Sequence, residues 1–142
     1  MRALDANVLV YAAIESSLHH TRALETLKTH AEGVRPWALP WPCVYEFFRV
    51  VTHPRVFHPP MPGEQALAFL RALFASPSLH LLSESPRHPE LMEAVVRAAN
   101  VSGNLTHDGH IAALCLEHGV TEIVTGDRDF SRFEGLRVTH PF

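Results

Sequence analysis

Cysteine is scarce in this chain: there are only Cys43 and Cys115, 72 residues apart. Two such residues in apolar surroundings build neither a disulfide framework nor a zinc cluster, and they read as buried thiols in a reducing compartment. Long apolar runs are missing as well. The N-terminal one is broken by Asp5 and Asn7. No segment reaches the ~20 apolar residues of a membrane span or forms a secretory signal, so a cytoplasmic protein with no membrane partner is expected. Surplus positive charge is also absent. Twelve Lys and Arg face fifteen Asp and Glu, a formal charge of −3. Bulk charge therefore cannot drive nucleic-acid binding, and such a role needs a local basic patch or bound cations. No Walker lysine loop or GxGxxG motif occurs.

The residues that are present describe a folded chain. Hydrophobic residues make up 46% and charged residues 19%, which excludes disorder. A length of 142 residues suits a single domain spanning 1–142. Aspartate is the sparing acid: eleven of the acidic residues are Glu, and only Asp5, Asp108, Asp127 and Asp129 are Asp. The basic residues are eleven Arg and a single Lys, Lys28.

Hydrophobic periodicity and turn residues order the chain. Residues 2–5 read as a strand turning into a short helix. A helix over 19–31 stops at Gly33, and 37–39 reads as a short strand. A helix over 41–51 has Pro42 in its first turn. Four prolines restrict the loop 53–62. Further helices are expected over 63–75, 89–99 and 108–118, and further strands over 79–82, 122–125 and 136–138. Alternating strands and helices predict an α/β domain around a mostly parallel sheet.

In such sheets ligands bind beyond the carboxyl ends of the strands. Asp5 ends the first strand. Asp127 and Asp129 follow the strand at Ile123 and Val124, and Asp108 is placed at the start of a helix. Each has an ordinary structural use: Asp108 near a helix N-cap, Asp127 and Asp129 in a turn, Asp5 as a cap. Those uses do not explain why every Asp falls at an element end on one side of the sheet. Glu46 sits within the apolar helix around Phe47 and Phe48. It is either exposed and paired with Arg49 or turned toward a metal cluster. Clustered carboxylates require compensating cations or protons. Oxygen-only donors suit Mg²⁺ or Mn²⁺ over Zn²⁺. Two such ions would change the formal charge from −3 to +1.

The motifs in sequence order resemble the PIN-domain ribonucleases, specifically the VapC-like toxins of type II toxin–antitoxin pairs. They are Leu4-Asp5-Ala6-Asn7-Val8-Leu9-Val10-Tyr11, Glu46-Phe47-Phe48-Arg49 running on to Pro54-Arg55, Gly103-Asn104-Leu105 before Asp108, and Thr125-Gly126-Asp127-Arg128-Asp129-Phe130. The resemblance implies a three-layer α/β/α sandwich. It also implies metal-dependent cleavage of RNA by an activated water, with one or two Mg²⁺ or Mn²⁺ ions and 5′-phosphate and 3′-hydroxyl products. By position, Asp5, Glu46, Asp108 and Asp127 resemble the acidic metal-binding quartet and Asp129 its auxiliary acid. Thr125 resembles the hydroxyl residue supporting the site, and Asn7 the residue orienting the first Asp. Arg49, Arg55, Arg128 and Arg132 are candidate phosphate contacts. A small antitoxin partner and a homodimer are also implied. Gly109 departs from the pattern, which usually has Ala after the third acid.

Other readings fit less well. His107-Asp108 matches the pair that names a class of metal-dependent phosphohydrolases, but those are all-helical. Asp5-Ala6-Asn7 is similar to the nucleophile loop of haloacid-dehalogenase-type phosphatases, except that Asn7 replaces their acid/base Asp. A scaffold that binds RNA or protein without cutting is the non-enzymatic alternative.

Overall fold

The computed structural model of the chain describes residues 1–142. Five strands form one sheet: β1 (Arg2–Leu4), β2 (Trp37–Pro40), β3 (Leu79–Leu82), β4 (Glu122–Val124) and β5 (Arg137–Thr139). Six helices separate them: α1 (Ala6–Ala13), α2 (His20–Ala31), α3 (Trp41–Val51), α4 (Gly63–Phe74), α5 (His88–Ala98) and α6 (Leu105–Glu117). A 3₁₀ turn covers Arg128–Arg132. Every strand pairing is parallel, in the order β3-β2-β1-β4-β5. This is the expected α/β/α sandwich.

The inner strands are apolar on both faces, as a sheet covered by helices requires. Ala3, Leu4, Ala38, Leu39, Ile123 and Val124 are all buried. The core continues into the helices through Phe47, whose ring stacks on Phe69 at 4.9 Å. Proline sets several boundaries. Pro40 ends β2 and caps α3, while Pro42 and Pro89 occupy the first turns of α3 and α5. There the missing N–H would have had no helical partner. Gly119, at φ +71°, lets the chain leave α6 in the left-handed conformation.

The amino end of the sheet carries a paired charge. Buried Glu122 accepts from Arg137 Nη2 at 2.6 Å and Thr139 Oγ1 at 2.6 Å, and Arg2 Nε lies 3.0 Å away. Burial alone would raise its pKa. These partners outweigh burial and hold the carboxyl at about 2.

Most boundaries fall within one residue of the sequence reading, and one larger departure moves a functional candidate. α6 begins at Leu105, before Asp108, because the N–H groups of Thr106 and His107 already donate to Gly103 and Asn104 carbonyls. Asp108 therefore lies inside the first helical turn instead of opening the helix. The expected turn around Arg128 is a 3₁₀ helix capped by Asp127. β5 starts at Arg137, one residue late, because the Leu136 N–H donates to the Phe133 carbonyl within the turn and Arg137 is the first to donate to the neighbouring strand's end, at the Thr121 carbonyl.

Candidate active site

β1 and β4 are neighbours, and their register pairs Leu4 with Val124. The residues following each strand thus emerge side by side. β2 and β3 extend the sheet on one side of this pair and β5 on the other. The chain reverses its direction of winding here, the position where open parallel sheets leave a crevice.

Asp5 caps α1 from within this crevice and is buried. Its Oδ1 accepts the Ala6 N–H at 2.7 Å and the Cys43 thiol at 3.6 Å. Its Oδ2 accepts the Thr125 hydroxyl at 2.7 Å and the Asn7 amide at 3.0 Å. Thr125 Oγ1 in turn accepts from Asn7 Nδ2 at 3.0 Å and from the Asp127 N–H at 2.9 Å. One donor and two lone pairs exhaust that hydroxyl. Asn7 Oδ1 accepts the Gly126 N–H at 3.1 Å. Asp5, Asn7, Thr125 and the backbone of Asp127 therefore form one network joining the two strand ends. Burial raises the Asp5 pKa, while the hydrogen bonds from Thr125 and Ala6 pull it back.

The other aspartates converge on the same edge. One carboxylate oxygen from each of Asp108, Asp127 and Asp129 lies within 4.8 Å of the other two. Asp127 Oδ1 also accepts the Asp129 N–H at 2.8 Å. None of the four aspartates has a basic side chain within 4.0 Å. The contrast with Glu122 is chemical: one carboxylate is neutralised by Arg, and this group is left uncompensated. Partial burial, and then repulsion from Asp127, Asp5, Asp129 and Glu46, pushes the Asp108 carboxyl up to about 7.

Glu46 stands beside this trio. It is partly exposed on α3, with Oε1 3.8 Å from Arg49 Nη2. Its charge still raises the pKa of both Asp5 and Asp108. Glu46 is therefore paired loosely with Arg49 and is close enough to the aspartates to act on their charge.

The donor set fits a hard divalent ion. It is all oxygen and it carries surplus negative charge. Its span is also compatible, since opposite ligands of an octahedral Mg²⁺ lie about 4.2 Å apart.

An open cleft of about 1020 Å³ adjoins the acids, with Tyr45, Glu46, Arg49, His107 and Asp108 on its walls. A smaller hollow of about 430 Å³ is lined by Asn7, Tyr11, His19, Asp127, Arg128 and Phe142. Arg49 and Arg128 therefore border the cluster from two directions. Arg55 and Arg132 are exposed and line neither space. Two features escaped the sequence reading. The Cys43 thiol on Asp5 left no local signal, because only the packing of α1 against α3 creates that contact. Tyr45 could have been found, because it sits one position before Glu46 and off the apolar stripe of α3; it is 73% exposed.

A family model described as PIN domain matches residues 2–136. Ribonuclease VapC37 of Mycobacterium tuberculosis is 35% identical over 141 residues, covering 99% of this chain and 97% of that protein. Ribonuclease VapC48 of the same organism is 32% identical over 138 residues, covering 97% and 95%. Among solved structures, VapBC2 from Rickettsia felis, bound to a promoter DNA fragment, gives a TM-score of 0.68 at 18% identity, covering 98% of this chain and 97% of that one. Mycobacterium tuberculosis VapC20, described as a sarcin-ricin loop cleaving toxin, gives 0.66 at 14% identity, covering 96% and 99%. The chain belongs to the PIN-domain family. Within that family it is similar, nearly end to end, to proteins named as VapC ribonucleases.

Proposed function

We propose that this protein is a metal-dependent endoribonuclease and the toxin of a toxin–antitoxin pair. The observation that carries the reading is the convergence of Asp108, Asp127 and Asp129, with no cationic partner, beside the buried Asp5. The VapC relatives support RNA as the substrate. Asp5, Asp108 and Asp127 would hold one or two Mg²⁺ or Mn²⁺ ions, with Glu46 and Asp129 flanking them. When bound, such an ion neutralises charge on the scissile phosphate and lowers the pKa of an attacking water.

The chain's own residues supply position and charge. Thr125, Asn7, Cys43 and the Ala6 N–H hold both Asp5 oxygens in place. Asp108, its pKa raised by burial and by its acidic neighbours, would be the carboxyl most favoured by an added cation. Arg49 and Arg128 draw phosphates of the incoming strand toward the cluster from two sides. The exposed ring of Tyr45 offers a stacking face for an unpaired base, which suits single-stranded or loop RNA. A small antitoxin partner and a homodimer follow from the same family reading, with VapBC2 among the structural neighbours. The 142 residues act as one domain.

The test is cleavage of a mixed RNA pool by purified wild-type protein and by Asp5→Asn, in Mg²⁺, in Mn²⁺ and in EDTA. Cutting that requires metal and is lost in Asp5→Asn supports the reading. A folded, metal-loaded, antitoxin-free protein that binds the pool without cutting it points to a scaffold.

A further inference from the structure

A second group of ligating side chains lies next to the cleft, where α6 meets α5. Glu84 is in the link after β3, His88 is the first residue of α5, and His110 is on α6. One donor atom from each lies within 4.8 Å of the other two. Asp108 and His110 are two residues apart on one helix. At ~100° per residue their side chains leave α6 about 200° apart, so the two groups share no donor although Asp108 and His110 both border the large cleft. We propose that Glu84, His88 and His110 form a second metal site, one that takes a borderline ion such as Zn²⁺ instead of Mg²⁺.

A buried carboxylate fixes the ring of His88. His88 Nδ1 lies 2.7 Å from Glu117 Oε2, and the Glu117 side chain is 1% exposed. Glu117 Oε1 also accepts the Ser85 N–H at 2.8 Å and the Ser85 hydroxyl. Burial alone would raise the Glu117 pKa, but these hydrogen bonds hold it at about 2. Glu117 is therefore a carboxylate, and Nδ1 of His88 must carry the hydrogen between them. That leaves the lone pair on Nε2. A buried carboxylate fixing the far nitrogen of a histidine is the arrangement that supports histidine ligands in metal proteins.

His110 and Glu84 form the other half. His110 Nε2 lies 2.7 Å from Glu84 Oε1. The two imidazole rings meet edge to face, with centroids 5.5 Å apart. An ion entering here would take the place of the hydrogen between Nε2 and the carboxylate, that proton passing to solvent, and the ligating ring would carry its single hydrogen on Nδ1. Two nitrogens and one carboxylate oxygen are a donor set that zinc uses, with bonds near 2.0–2.2 Å and a fourth position left for water. Tetrahedral donors at that length stand about 3.3 Å apart, so the Glu84–His110 pair opens slightly as the wider separations close. The imidazoles disfavour Mg²⁺, which separates this site from the all-oxygen cluster. A bound ion would tie the start of α5 and the link before it to α6.

The experiment is calorimetric titration of the full chain with Zn²⁺ in excess Mg²⁺, which fills the aspartate cluster. Co²⁺ absorption serves as a second probe of coordination. The proteins are wild type, His88→Ala, Glu84→Ala, Glu117→Gln and Asp127→Asn, each checked for folding by circular dichroism. Glu84 is exposed, so its replacement leaves the core intact. Wild type and Asp127→Asn should each bind one Zn²⁺ with matching affinity and a Zn²⁺-dependent rise in Tm. His88→Ala and Glu84→Ala should bind at least tenfold more weakly, and Glu117→Gln about 10–100-fold more weakly. The proposal is overturned if folded wild type binds no Zn²⁺. It is equally overturned if His88→Ala and Glu84→Ala bind Zn²⁺ as wild type does, or if Asp127→Asn alone abolishes binding.

Discussion

Replacing Asp108 by Asn should stabilise the metal-free protein, and only above acid pH. The carboxyl rises from 3.8 to about 7 on folding, through burial and the repulsion of Asp127, Asp5, Asp129 and Glu46. A group raised in the folded state favours folding while it is protonated. That contribution is complete below about pH 4 and is lost as pH climbs to about 7. A shift of this size corresponds to at most ~4 kcal/mol. Asp108 is only half-buried, and solvent screening reduces the figure to about 2 kcal/mol. Asn is neutral at every pH and avoids the penalty. In EDTA, the Tm of Asp108→Asn should match wild type near pH 4 and exceed it by about 6 °C at pH 8. Adding Mg²⁺ at pH 8 should raise the wild-type Tm and narrow the gap. The reasoning is refuted if the gap does not depend on pH, or if Asp108→Asn is the less stable protein at pH 8.

Thr125→Val removes the hydroxyl that donates to Asp5 and accepts from Asn7 and Asp127, at similar volume. Urea denaturation should show a loss of about 1–3 kcal/mol, and RNA cleavage should fall with it. Gly109→Ala places a Cβ 3.3 Å from Val101 Cγ1. Both Val101 methyls face that position, at 3.3 and 3.5 Å, so a shift of the half-buried Val101 loop by a few tenths of an ångström is required; the gain in helix propensity should outweigh it and raise stability by about 0.5 kcal/mol in the same assay. Glu117 and Glu122, both held at about 2, contribute stability above pH 4.5 that is lost as pH falls toward 2. Acid unfolding followed by circular dichroism should therefore be shallower in a Glu117→Gln/Glu122→Gln double variant.

Much of this arrangement was legible in the residues. Alternating apolar segments with Pro42, Pro89 and Gly119 at their boundaries mark the strands and helices, because each of those residues acts on its local backbone. The convergence of the aspartates was legible because parallel strands deliver their carboxyl ends to one edge. Helix starts without a side-chain cap were not. Asn104 makes no capping hydrogen bond, so nothing local shows that α6 begins before Asp108. The division of labour among the acids was also hidden. Glu46 and Asp129 differ from the buried Asp5 in exposure, which depends on how α3 and the 3₁₀ turn pack. The Glu84–His88–His110 group joins three elements, and its two histidines are 22 positions apart in the chain. Histidine spacing within one helix could not show it.

Cleavage by the aspartate cluster, with water as the nucleophile, would leave a chemical signature on the RNA ends. Mapping the ends of single-turnover RNA products tests it most directly. The account predicts 5′-phosphate and 3′-hydroxyl ends, no product in EDTA, and a rate at least ~10²-fold lower in Asp127→Asn. Products with 5′-hydroxyl and 2′,3′-cyclic phosphate ends, formed equally well in EDTA, would contradict it, because the ribose hydroxyl would then be the nucleophile and the carboxylates would not be needed.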